Sequence, residues 1–232
     1  MKTAEKQITE TVQESESPVL EEQENGIVRL TLNRPEQFNS LSEAMLATLQ
    51  EKIDAIAENK AAKLVILQGA GKAFCAGHDL KEMIAKREET YYKSLFQQCS
   101  RMMMTLNKIP QPVIARVHGI ATAAGCQLVG ACDLAVASED ARFATSGINV
   151  GLFCSTPSVP VSRNIPRKQA MELLLTGEFI DANTALKWGL INRIAPREKL
   201  DEEVQKLADA ILSKSSVAVF SGKKMFYIQL EK

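Results

Sequence analysis

Long apolar runs are missing from this 232-residue chain. No stretch approaches the roughly 18 consecutive apolar residues that cross a bilayer, so a membrane-spanning protein is not expected. An excess of either charge is missing too: Lys+Arg 28 stand against Asp+Glu 28, a balance that argues against nucleic acid as a partner. The cysteines, Cys75, Cys99, Cys126, Cys132 and Cys154, are odd in number and form no Cys-x-x-Cys pair. Reduced thiols are therefore expected, with no disulfide framework and no metal site. Histidine occurs only at His78 and His118, and a Gly-x-Ser-x-Gly elbow is absent, which counts against a serine hydrolase. Neither GxGxxG nor a P-loop is present, so nothing points to nucleotide-phosphate binding.

What is present is ordinary globular composition, 45% hydrophobic and 24% charged, in a chain long enough to bury a core unaided. Residues 1–24 are rich in Glu, Gln, Thr and Ser, without the apolar stretch of a signal peptide or the Arg-rich bias of a transit peptide. They are expected to form a disordered acidic extension with a cytoplasmic address, ahead of one folded domain over residues 25–232. Within that domain, Ile27 to Leu32 alternate as in a half-buried strand, and Leu46, Leu49, Ile53 and Ile56 follow at helical spacing behind a candidate N-cap, Ser42. Further strands are expected at Leu64–Leu67, Pro112–Val117 and Leu134–Ala137. Helices are expected near Tyr91–Asn107, from Ala123, and over Pro166–Leu175, Asp181–Trp188 and Asp201–Leu212. Strands separated by helices imply a layered α/β fold.

Two turns hold small residues between an apolar strand and an apolar helix: Gly71 to Lys81, and His118 to Leu128. Such a turn lets a ligand reach the backbone, and a helix opening there offers unpaired N–H groups and a positive dipole end. Tight strand–helix packing is the plainer reading of either turn taken singly.

Together the two turns resemble the crotonase, or enoyl-CoA hydratase/isomerase, superfamily. Lys72-Ala73-Phe74-Cys75-Ala76-Gly77-His78-Asp79-Leu80-Lys81 resembles the loop that holds coenzyme A, and Pro112-Val113-Ile114-Ala115 through Gly125-Cys126 and Cys132-Asp133 resembles the second signature. Asn33-Arg34-Pro35 with Asn39, and Leu174-Leu175-Thr176-Gly177 to Gly189-Leu190, match further family segments in the right order. Cys75 to Glu82, Ala121 to Gln127 and Val150 to Pro157 resemble one branch in particular.

The resemblance implies a ClpP/crotonase fold of repeated ββα units with C-terminal helices, shortened here because the chain stops in a helix begun near Val217. It implies an acyl-CoA ligand, with coenzyme A as part of the substrate and no prosthetic group, and a homotrimer or dimer of trimers. On the matching positions, the N–H groups of His78 and Ala124 form an oxyanion hole for the thioester carbonyl. The His78 side chain is expected to point elsewhere. Ala76, His78, Asp79, Leu80, Lys81 and Gln37 fall on the coenzyme A positions. The two glutamates that hydratases use fall on Gln127 and Gly147, neither of which can carry a proton. Efficient hydration is therefore not expected, although Gln127→Glu with Gly147→Glu is expected to raise it if the pocket has room. Ser155 is a further candidate side chain near the acyl pocket. A non-catalytic acyl-CoA binding or regulatory protein is the alternative.

Overall fold

A strand that is apolar at every position must be covered on both faces, and the run Leu-Val-Ile-Leu at Leu64–Leu67 is of that kind. In the computed structural model, which describes residues 17–230, it lies inside a six-stranded sheet. The strands, side by side in chain order, are β1 (Val19–Glu24), β2 (Ile27–Leu32), β3 (Leu64–Gly69), β4 (Val113–Val117), β6 (Leu134–Ser138) and β9 (Arg193–Ala195). Only β1 runs antiparallel to its neighbour. A second sheet joins β5 (Ile120–Thr122), β7 (Arg142–Ala144) and β8 (Ile180–Asp181).

The helices are α1 (Glu43–Glu58), α2 (Leu80–Ala85), α3 (Glu89–Lys108), α4 (Ala124–Ala131), α5 (Ser155–Asn164), α6 (Arg167–Thr176), α7 (Ala182–Trp188), α8 (Leu200–Leu212) and α9 (Ser216–Leu230). Twice a strand of the large sheet is followed by one of the small sheet and then a helix: β4, β5, α4 and β6, β7, α5. This is the ββα repeat the resemblance implies. Val65, Leu67, Val113 and Ala115 face a core shared with Leu46, Leu49 and Ile53 of α1. Leu64, Ile66, Ile114 and Val136 face the other way, onto Leu200, Val204 and Ala208 of α8. Ser42 caps α1, its side chain accepting from Met45 N–H at 3.2 Å.

The expected boundary of the disordered extension is corrected, because β1 falls within residues 1–24. Val19 is buried and pairs with Leu32, while the rest of the strand is an edge carrying exposed glutamates. Those glutamates gave the segment its tail-like composition. Its hairpin signal is Asn25-Gly26, both at positive φ, the dipeptide of a tight two-residue turn. Residues 1–16, the remainder of the extension, lie outside the described residues.

At the other end, α9 is tied down by polar contacts. Lys223 Nζ donates to the carbonyls of Leu106 and Gln111 at 2.7 and 2.8 Å, and lies 2.7 Å from Asp133 Oδ2. Tyr227 donates to the other Asp133 oxygen at 2.8 Å, and the Val113 N–H donates to Oδ2 at 2.7 Å. Asp133 is thus a fastener, with three donors on its two oxygens.

Asn39 fixes the first turn. Fully buried and at φ 54, it donates from Nδ2 to the carbonyls of Ala70 and Ala73 at 2.9 and 2.8 Å and accepts from Arg34 N–H at 2.9 Å. The exit of β2 is thereby pinned to the start of the Lys72–Lys81 loop. Asn39→Ala leaves those buried carbonyls unpaired, at roughly 1–3 kcal/mol for each group orphaned. The expected result is a urea midpoint lowered at unchanged m-value, read by circular dichroism, with a larger loss than Asn59→Ala, whose amide bonds at the surface.

Candidate active site

Two parallel bridges carry the first turn past its neighbours. Cys75 donates to Ile120 C=O at 3.1 Å and accepts from Thr122 N–H at 3.0 Å, so the loop lies along β5. Leu41 donates to Gly77 C=O at 2.7 Å and accepts from Asp79 N–H at 3.4 Å. In a parallel bridge of this sense Leu41 uses both its groups, and the His78 N–H is turned to the opposite side.

The second turn lies against the first. A β-carbon on Gly77, which has φ +90, would stand 2.9 Å from Ala123 Cβ and 3.2 Å from Ala124 N. One on Gly125 would stand 2.1 Å from the Cys75 carbonyl oxygen. The backbones therefore meet with no side chain between them. Ala124 opens α4, so its N–H has no intrahelical acceptor. Ala123, just before it, holds φ 50 and ψ −119, a region that costs a non-glycine residue about 1–3 kcal/mol. Its own N–H is anchored on Ala144 C=O at 2.9 Å. That strained peptide sets the direction of the Ala124 N–H.

Both turns open on a pocket of about 210 Å³. Ala76, His78, Ala123 and Ala124 form one wall, Met83 of α2 and Phe96 of α3 a second, and segment Ser146–Pro157 a third. Its lining contains no carboxylate, lysine or arginine. The polar side chains are His78, Ser146, Cys154, Ser155 and Thr156; Ser146 Oγ lies 2.7 Å from Thr122 Oγ1.

The residues expected at the site are not all gathered there. His78, Ala124, Gly147, Ser155, Ala76 and Leu80 line the pocket; Gln127, Asp79, Lys81 and Gln37 do not. Gln127 is buried in α4, 4% exposed, with Oε1 lacking a hydrogen-bond partner. Asp79 caps α2, accepting from Lys81 and Glu82 N–H at 3.1 and 3.2 Å, with Arg34 at 3.6 Å. Lys81 is exposed on that helix, and Gln37 is exposed in the 3-10 turn Pro35–Gln37. Ser155 begins α5, exposed, its hydroxyl donating to Phe153 C=O at 3.4 Å.

Gly147 overturns one expectation. A β-carbon there would lie 2.5 Å from the Leu152 carbonyl oxygen and 2.8 Å from Cys154 Sγ, because Leu152 N–H folds back onto Gly147 C=O at 3.0 Å. No glutamate enters at this position without moving the loop.

The His78 ring packs edge-on against Phe96, centroids 5.4 Å apart. Both ring nitrogens are out of water and unpaired. Burial holds the imidazole below its ordinary value; the Leu41 carbonyl opposes this without reaching hydrogen-bonding geometry. His118 is a turn fastener: its Nδ1 faces Arg116, so Nε2 carries the proton that bonds Gly71 C=O at 3.0 Å. Burial pushes Cys75, Cys99 and Cys126 up to about 12, and Cys132 and Cys154 are raised by the same cause. None is a thiolate at neutral pH.

Met83, Phe96 and Ser146 were not singled out by sequence. The first two sit on amphipathic helices, where a pocket residue and a core residue share one spacing. The hydroxyl of Ser146 lies beside Gly147, and that adjacency was its only signal.

Comparison with known proteins agrees with this architecture. The sequence profile of the Enoyl-CoA hydratase/isomerase family matches residues 22–232. The mitochondrial enoyl-CoA hydratase domain-containing protein 3 of Rattus norvegicus is 48% identical over 208 residues, 90% of this chain and 69% of that protein. The crystal structure of its human counterpart superposes with a TM-score of 0.89 at 46% identity, covering 93% of this chain and 85% of that one. An enoyl-CoA hydratase structure from Mycobacterium smegmatis gives 0.92 at 55% identity over 94% of this chain and 85% of that one. The expected cytoplasmic address does not stand. The rat relative and its human, mouse and Xenopus laevis counterparts are all named as mitochondrial. With a match running across nearly every described residue, the chain belongs to the enoyl-CoA hydratase/isomerase family.

Proposed function

We propose that the protein binds acyl-CoA thioesters with the carbonyl oxygen between the N–H groups of His78 and Ala124, and stabilises the enolate that forms when charge moves onto that oxygen. The observation that carries this reading is the close approach of Gly77 to Ala123 and the Ala124 N–H at the pocket wall, with no room for a β-carbon on the glycine. Each such donor is typically worth about 2.7–4 kcal/mol in the transition state. Coenzyme A would run along Ala76, His78, Asp79, Leu80 and Lys81, with Gln37 beside them. The acyl group would be uncharged, because a carboxylate in this lining would be desolvated with no cation opposite. A homotrimer or dimer of trimers belongs to the same proposal, consistent with Val217, Met225 and Phe226 exposed on α9.

Hydration is not the favoured reaction. Gln127 cannot exchange a proton, Gly147 has no side chain, and no carboxylate lines the pocket. That last observation favours a second reading, an acyl-CoA binding or regulatory protein without turnover. An enzyme of the enolate-forming kind and a binder differ in whether bound thioester changes.

Two outcomes are expected. Isotope-edited infrared spectroscopy of bound butyryl-CoA, labelled at the carbonyl carbon, should show the carbonyl stretch lowered by hydrogen bonding. Gly77→Ala, which separates the turns, should abolish that shift while leaving far-ultraviolet circular dichroism intact. An unshifted stretch in the wild-type complex would remove the oxyanion hole from the proposal. Crotonyl-CoA hydration by the wild type should be slower than ordinary hydratases by roughly 10²–10⁴-fold for each missing proton carrier. Gly147→Glu should not restore it, alone or with Gln127→Glu, because its Cβ meets the Leu152 carbonyl. Recovery of hydration in the double variant would mean that the Leu152 loop yields.

A further inference from the structure

Three large apolar side chains of segment 146–157 line the pocket and yet stand open to solvent: Val150, Leu152 and Phe153, at 65%, 45% and 39% exposed. Exposed apolar residues scattered singly need no explanation, whereas neighbours gathered at the mouth of an apolar cavity form a surface that a ligand can cover. The loop is held in this position by its own backbone. Gly151 N–H donates to Ile148 C=O at 3.1 Å and Leu152 N–H to Gly147 C=O at 3.0 Å, with Gly151 taking the turn at φ 79. The exposure is therefore built into the fold. Leu80 is the other half-exposed apolar residue of the lining, and it falls on the side proposed for coenzyme A.

The interior is too small for a long chain. Its volume is about 210 Å³, and a cavity of about 150 Å³ takes the six carbons of benzene, so about eight heavy atoms fill it. A thioester sulfur, a carbonyl oxygen and six acyl carbons already reach that size. We propose that the ligand is an acyl thioester longer than about six carbons, whose tail leaves the pocket over Val150, Leu152 and Phe153. This rests on the acyl-CoA reading above and narrows its substrate class. The same three residues form the inner lining and the outer surface, so a tail crossing them stays in apolar contact without a gap, and no charged side chain of the lining interrupts its path. A methylene fully buried is worth about fourfold in affinity, and one laid on an open apolar face about twofold.

Calorimetry of the full chain with butyryl-, hexanoyl-, octanoyl- and dodecanoyl-CoA reads the tail alone, because coenzyme A and the thioester are common to all four. Affinity is expected to rise by about fourfold per methylene up to hexanoyl-CoA, and to go on rising by about twofold per methylene to dodecanoyl-CoA. Val150→Ser with Leu152→Ser should cut the ratio of dodecanoyl to hexanoyl affinity by about tenfold. Val150→Ser alone, at the most exposed of the three positions, should lower the same ratio by a smaller factor and serves if the double variant does not fold. Leu186→Ser, at an exposed apolar position on α7, should leave the ratio unchanged. Affinity that is flat beyond hexanoyl-CoA overturns the proposal and leaves the acyl-CoA reading standing. A ratio that neither loop variant moves overturns it too; if sedimentation velocity shows that the same variants lose mass, a second copy of the chain covers the loop instead. Failure of all four thioesters to bind the wild type overturns the acyl-CoA reading itself, and this inference with it.

Discussion

Everything at the site depends on two backbone segments lying closer than side chains allow. The Cys75 carbonyl occupies the space where Gly125 would carry a β-carbon, and Ala123 and Ala124 crowd the corresponding space at Gly77. Close contact of this kind is unforgiving: the nearest atoms are backbone at Gly125 and the Ala123 β-carbon at Gly77, neither of which can rotate aside. The rest of the architecture supports it. The ladder from β1 to β9 sets the strand exits, Asn39 clamps the loop after β3 to the exit of β2, and Ala144 holds the strained Ala123 in place.

The same economy of space explains what the pocket lacks. Segment Ser146–Val150 is a 3-10 turn whose Gly147 carbonyl is met by Leu152 N–H, and that fold-back brings Leu152, Phe153 and Cys154 onto the pocket wall. A side chain at Gly147 and this closed loop are mutually exclusive. The glycine is thus part of a loop conformation that lines the cavity largely with apolar atoms.

Much of the fold was legible because strongly periodic segments leave few alternatives: the strand at Ile27–Leu32, the helix behind Ser42 and the stops at Gly177 and Gly189 all stand where pattern and capping put them. The short strands of the second sheet were not, since two or three residues cannot display a period. β1 was hidden by its edge position, where five of its six residues need not be fully buried and glutamate is an acceptable edge residue. At the site, the two turns stood out by their small residues, and their resemblance to family motifs gave them a role. The inward wall of α2 and α3, the fold-back at Leu152 and the direction of the His78 ring could not, because each depends on which elements meet in three dimensions.

The direction of that ring matters because backbone and side-chain chemistry are separable at a single residue. An N–H donor at position 78 needs only the right peptide orientation, which the Leu41 bridge and the Gly77 turn supply whatever side chain follows. The side chain can then vary without turning that N–H. Here it is an imidazole, its charged form disfavoured by burial, packed edge-on against Phe96. A neutral ring is cheaper to bury than a carboxylate, because no full charge is desolvated before substrate enters. A carboxylate base in the same lining would carry its charge at all times, with no cation on the wall to balance it. The apolar lining is therefore a poor setting for an acidic pair.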